Sequence, residues 1–63
     1  MLTFKEWRRA KGISAHKMAD ELGVNYTTII RWERGKSKMP IDKAAMYCRY
    51  LGITFDDVKI LDS

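Results

Sequence analysis

SAHKMADELGVNYTTIIRWERG, residues 14–35, encodes two short helices and the turn between them. Ser14 is a strong N-cap residue, because its hydroxyl can accept from a first-turn amide that has no carbonyl partner inside the helix. Met18, Ala19 and Leu22 follow at i, i+1 and i+4, an apolar stripe about one helix face wide. Gly23 suits the left-handed residue that ends a helix. Asn25, two positions on, can cap a second helix whose inward face carries Ile29 and Trp32, three residues apart. Gly35 ends that helix in turn. Two helices of about eight residues with only Gly23, Val24 and Asn25 between them cannot lie as an antiparallel hairpin, so the spacing predicts a crossing of roughly 90 to 120°.

Outward from this run the helix signals continue. Thr3 followed by Glu6 is a capping box that opens a first helix reaching about Lys11, with Phe4 and Trp7 on one face and Gly12 as its stop. Beyond the basic loop, Pro40 precedes a fourth helix over Ile41 to Leu51, stopped by Gly52, whose inner stripe reads as Ala44, Ala45, Cys48 and Leu51. Thr54 can cap a last short helix from Phe55 to about Val58. Only Val58 to Leu61 alternates in a way that weakly suggests a strand. The expected fold is all-α, five short helices in a single domain spanning residues 1–63. Aromatic residues at helical spacing, Phe4, Trp7 and Trp32, are expected in its core.

Composition narrows the function classes. Sixty-three residues are near the lower limit for an independent core, and a single domain is expected. A single cysteine, Cys48, excludes an intrachain disulfide, and one His with one Cys falls short of the three or four ligands of a zinc site. A reducing cytoplasm is the expected setting. No apolar run approaches the roughly 18 residues of a membrane span, and the first residues interleave charge with apolar side chains, unlike a signal peptide. No Ser/His/acid or Cys/His arrangement has a plausible third member and no Gly-rich phosphate loop exists, so an enzyme is not expected, nor a cofactor. The positive charge is segregated. Lys5, Arg8, Arg9 and Lys11 stand against Glu6 in the first segment, and Arg31, Arg34, Lys36 and Lys38 against Glu33 in the third helix and its loop, whereas the remainder is net acidic. Such a face suits an anionic polymer, because each Lys or Arg that meets a phosphate releases condensed counterions.

Two helices joined and crossed as residues 14–35 require form a helix-turn-helix, and the run resembles the Cro and repressor family of phage and bacterial transcription regulators. The resemblance is carried by small Ala19 where the helices touch, Gly23 in the turn, Ile29 inside the second helix and the closing Trp32-Glu33-Arg34-Gly35. It extends to the first helix ending at Lys11-Gly12, the basic loop Lys36 to Met39 with Pro40 after it, and Leu51-Gly52-Ile53-Thr54, so nearly the whole chain is covered. It implies a lambda-repressor-like fold that binds a two-fold symmetric double-stranded DNA operator as a homodimer, most simply as a repressor. One departure stands out. The family commonly has Gln at the first residue of the motif's first helix, where this chain has Ala15.

Placing Ile29 and Trp32 inward leaves Tyr26, Thr27, Ile30 and Arg31 on the other faces of the helix, and these are the expected base contacts. The resemblance matches Tyr26, Thr27 and Arg31 to positions that meet base edges; Ile30 could meet a thymine methyl or be a scattered exposed apolar residue. Arg31 is the leading sequence reader, since its planar fork can bond both O6 and N7 of guanine. Expected phosphate contacts are Arg8, Ser14, Ala15, Asn25, Arg34, Lys36 and Lys38, with Ser14 and Asn25 also read as caps and His16 as a solvated residue. The resemblance further implies a partly buried ion pair between Arg8 and Glu33. Phe55, Val58, Ile60 and Leu61, apolar residues near the C-terminus, are the expected dimer surface. The rival reading is a small protein-binding module, antirepressor or antitoxin-like, supported by Ile30 and by Tyr47 and Tyr50 as exposed aromatic candidates.

Overall fold

A computed structural model describes residues 1–60. Four α-helices, α1 (Phe4–Ala10), α2 (Ala15–Leu22), α3 (Tyr26–Glu33) and α4 (Ile41–Leu51), precede a 3-10 turn at Phe55–Asp57. The class is all-helical, as the sequence predicts, but the fifth element is one turn rather than an α-helix. Its shortness has a local cause. The Asp57 carboxylate accepts from both the amide and the hydroxyl of Thr54, at 2.9 and 3.1 Å, which closes the turn on itself. Val58 is then drawn into extended backbone by a parallel bridge to Leu2, and the Lys59 amide donates to the Leu2 carbonyl at 2.8 Å. The strand suggested for Val58 to Leu61 therefore reduces to a single bridge at Val58, and Leu61 lies outside the described residues.

The helix ends follow the local signals closely. Thr3 and Glu6 exchange the two bonds of a capping box at the start of α1, at 2.9 and 3.2 Å, and the Ser14 hydroxyl accepts from the Lys17 amide at 3.0 Å. Gly23 sits at φ 70°, where an L side chain would be strained, and lets the Val24 amide turn back onto the Ala19 carbonyl at 3.0 Å. Asn25 occupies the N-cap position of α3 without a side-chain cap bond; its carbonyl alone takes the amides of Thr28 and Ile29.

The core gathers Met18, Ala19 and Leu22 of α2, Ile29 of α3, and Tyr47 and Leu51 of α4, so that α2 is the element on which both neighbours rest. Burial of each large side chain contributes about 1.5–3 kcal/mol. The inner stripe of α4 is Ala44, Tyr47, Cys48 and Leu51, with Tyr47 in the place expected for Ala45. Tyr47 is thus a correction: it is fully buried rather than exposed. Its ring packs edge-on against Phe4 at 4.8 Å between centroids. Phe4, Trp7 and Trp32 are half-buried flanks of the core rather than its centre. Trp7 also ties α1 to the chain end, donating its indole N–H to the Asp57 carbonyl at 2.7 Å. The Lys43 ammonium donates to the Leu22 carbonyl at 3.0 Å, which fastens α4 to an unpaired carbonyl in the last turn of α2. Among the described residues, no helix is long and apolar enough to cross a membrane.

Candidate nucleic-acid interface

The inner face of α3 is held by two unlike anchors. Ile29 is buried in the apolar core, and one turn later Glu33 is buried as a carboxylate, only 5% exposed. A buried charge must be paired or it destabilises the fold by several kcal/mol. Glu33 is paired on both oxygens. Arg8 Nε donates to Oε2 at 2.7 Å and Nη2 donates to Oε1 at 2.9 Å, the two-pronged geometry that best fits a guanidinium to a carboxylate. The Tyr47 hydroxyl adds a bond to Oε2 at 2.5 Å, and the remaining Arg8 branch, Nη1, donates to the Ile13 carbonyl at 2.8 Å. The network locks α1, α3 and α4 together. The hydrogen bonds that Arg8 donates to Glu33 raise the Arg8 pKa further above its already high ordinary value, while burial, reinforced by Glu33, pushes the Tyr47 hydroxyl far above the usual tyrosine range. Tyr47 is therefore neutral and Arg8 charged at every ordinary pH.

With that face fixed, the outer face of α3 presents Tyr26, Thr27 and Arg31 to solvent, and Ile30 is half-buried against the core edge. Thus three of the four residues expected to read bases lie on one exposed surface, and the fourth borders it. Tyr26 does not stand free. Its ring stacks on the imidazole of His16 in α2, 4.0 Å between centroids and 13° from parallel. Arg31 is likewise oriented, because its Nε donates to the Ser37 hydroxyl at 3.3 Å in the loop after α3.

The flanks carry the expected positive groups. Arg34, Lys36 and Lys38 are exposed around the end of α3, and Ser14 and Asn25 are exposed at the starts of α2 and α3. At the start of α2 the amides of Ala15 and His16 take no acceptor among the described residues, while the Ala15 side chain faces the core. The Ala15 position thus offers a backbone donor outward while its methyl packs inward.

Two expected site residues are buried. Arg8, 6% exposed, directs Nε, Nη1 and Nη2 to Glu33 and Ile13 and so positions α3. Val58, 5% exposed, is bridged to Leu2 inside the chain and leaves little side-chain surface for a partner. Phe55 and Ile60 are exposed, at 42% and 62%. Sequence reading missed His16 and Ser37 as neighbours of Tyr26 and Arg31. For Ser37 a signal existed: a left-handed Gly35 sends the chain back over the last turn of α3. For His16 none did, since the stack joins two helices.

A comparison with protein-family profiles matches residues 4–58 to the family described as helix-turn-helix. Searches of the curated proteins and of the solved structures returned no match. The matched span runs from the first residue of α1 to the bridge at Val58, and so takes in the clamp from Arg8 to Glu33, the outer face of α3 and the basic loop together. The chain belongs to the helix-turn-helix family, of the Cro and repressor type, a DNA-binding regulatory domain.

Proposed function

We propose that the protein is a Cro-like repressor that inserts α3 into the major groove of a two-fold symmetric operator and binds it as a homodimer. The observation that carries this reading is the exposed row of Tyr26, Thr27 and Arg31 on a helix whose opposite face is clamped by Ile29 and by the network of Glu33 with Arg8 and Tyr47. A reading helix must present polar groups outward in a fixed register, and a rigid support keeps those groups from losing their orientation. Arg31 and Thr27 face base edges, Tyr26 the sugar or an outer base, and Ile30 a thymine methyl at the border. Arg34, Lys36 and Lys38, with Ser14, Asn25 and the Ala15 amide, contact phosphates on either side.

A chain of this size makes few phosphate contacts, so pairing on half-sites about one helical turn apart raises affinity economically. Phe55 and Ile60, with Ile41, edge an apolar groove floored by Phe4, Trp32 and Met39, which supports placing the dimer surface there. The rival protein-binding reading loses Tyr47, which the core consumes. The deciding experiment is selection of bound duplexes from a random pool, followed by titration of the selected and a mixed-sequence duplex at two salt concentrations. Enrichment of an inverted repeat, with affinity falling steeply as salt rises, supports the proposal; no binding at low salt refutes it in favour of the protein-binding module.

A further inference from the structure

We infer that Ser37, outside the recognition helix, is a positioning residue that presents the terminal edge of the Arg31 guanidinium to a base and thereby sets sequence discrimination; this rests on the proposed reading of Arg31 as a base contact. The geometry begins with the backbone. Gly35 at φ 74° reverses the chain, the Lys36 amide donates to the Arg31 carbonyl at 2.9 Å, and the Gly35 amide donates to the Trp32 carbonyl at 3.2 Å. This is the double-bonded helix end that a left-handed glycine allows. It brings Ser37, six residues after Arg31, back beside the Arg31 side chain, where the hydroxyl accepts from Nε at 3.3 Å.

A guanidinium has two edges that can form a fork, one made of Nε with a terminal nitrogen and one made of both terminal nitrogens. With Nε given to Ser37, the edge left for guanine O6 and N7 is the terminal one. The choice of a serine matters electrostatically. A carboxylate at this place would neutralise Arg31 and repel the backbone of DNA, whereas a hydroxyl orients the side chain and leaves its charge intact. Among the described residues no carboxylate pairs with Arg31, the adjacent Glu33 being taken by Arg8. Orientation of this kind acts on base readout far more than on general attraction, because a phosphate accepts a positive charge from many directions and a base edge does not.

The test is a cycle of four proteins: the parent, Ser37→Ala, Arg31→Ala and the double variant, with Ser37→Thr as the conservative control. Each is titrated on the selected duplex and on a mixed-sequence duplex, and its folding is checked by thermal melting. Ser37→Ala is expected to lower the ratio of selected to mixed affinity about three- to ten-fold, the net worth of one hydrogen bond expressed as affinity. Binding to mixed DNA, the salt slope and the melting temperature stay at parental values, Ser37→Thr retains the ratio, and Ser37→Ala has no further effect once Arg31 is removed. In the free protein the Arg31 Nε proton, followed by NMR, exchanges faster in Ser37→Ala than in the parent. An unchanged ratio, an equal loss on both duplexes, or an undiminished Ser37 effect in the Arg31→Ala background overturns the inference while Arg31 remains a base reader. Equal loss on both duplexes from Arg31→Ala itself overturns the reading of Arg31, and the role of Ser37 with it.

Discussion

Glu33→Gln is the perturbation that reaches furthest, because one atom exchanged at the centre of the network removes the countercharge of a buried arginine. Glu33 accepts three hydrogen bonds, two from Arg8 at 2.7 and 2.9 Å and one from Tyr47. Glutamine offers one carbonyl oxygen in place of two carboxylate oxygens, and its amide group must face an Arg8 donor in either orientation, Nη2 alone or Nε together with the Tyr47 hydroxyl. Tyr47 can turn to the Phe4 carbonyl, 3.3 Å away, and Arg8 keeps its bond to Ile13, so the unrelieved loss is one charge-assisted bond plus a buried cation without an anion. Breaking such a pair from one side costs about 3–5 kcal/mol, and the bond that glutamine retains places this case near 3. A chain of this length holds only about 3–9 kcal/mol in all. With about 4–8 °C lost per kcal/mol in so small a domain, the melting temperature should fall by at least about 12 °C. Thermal melts and urea titrations of the parent, Glu33→Gln and the double variant Arg8→Met with Glu33→Leu test the reasoning. The double variant strands no charge and should recover more than half of the loss. Because Nε, Nη1 and Nη2 of Arg8 are all engaged within the protein, the double variant should also keep the parental slope of log affinity against log salt. A Glu33→Gln melt within about 2 °C of the parent would refute the argument from burial. A slope flattened by about one unit in the double variant would return Arg8 to the phosphate contacts.

Lys36→Ala and Lys38→Ala should each weaken binding to every duplex alike and flatten the salt slope by about one unit, read from titrations between low and moderate salt. Gly23→Ala should cost about 1–2 kcal/mol through backbone strain alone, since a methyl there would meet nothing within 4 Å; a measured loss much larger would show that packing is disturbed as well. Tyr47 is held neutral in the folded state, so its contribution is complete below the unfolded tyrosine pKa of about 10 and is lost as pH rises above it, at up to about 1.4 kcal/mol per pH unit. Urea midpoints at pH 8, 10 and 11 should show that decline in the parent and a shallower one in Tyr47→Phe.

What residues 1–60 reveal in sequence is whatever neighbours within one turn can decide. The exchange between Thr3 and Glu6, the Ser14 cap, the stop at Gly23 and the stripe of Met18, Ala19 and Leu22 all rest on partners no more than five residues away, and each stands in the structure as read. These signals suffice for an all-helical chain with its central pair of helices, and the outer face of α3 follows by subtracting its buried positions. The pairing of Arg8 with Glu33 was accessible only through resemblance to a family, since nothing local links residues 25 apart. Three-dimensional packing alone decided the rest. Tyr47 reads as an amphipathic surface residue until Glu33 and Phe4 supply its ring and hydroxyl with partners 14 and 43 residues distant. The burial of Arg8 by the same cluster, and of Val58 beside its bridge to Leu2, likewise depends on partners distant in sequence. A polar or aromatic side chain carries no preference for burial of its own; burial becomes favourable only where other elements bring the complementary groups, and that meeting is a property of the assembled helices.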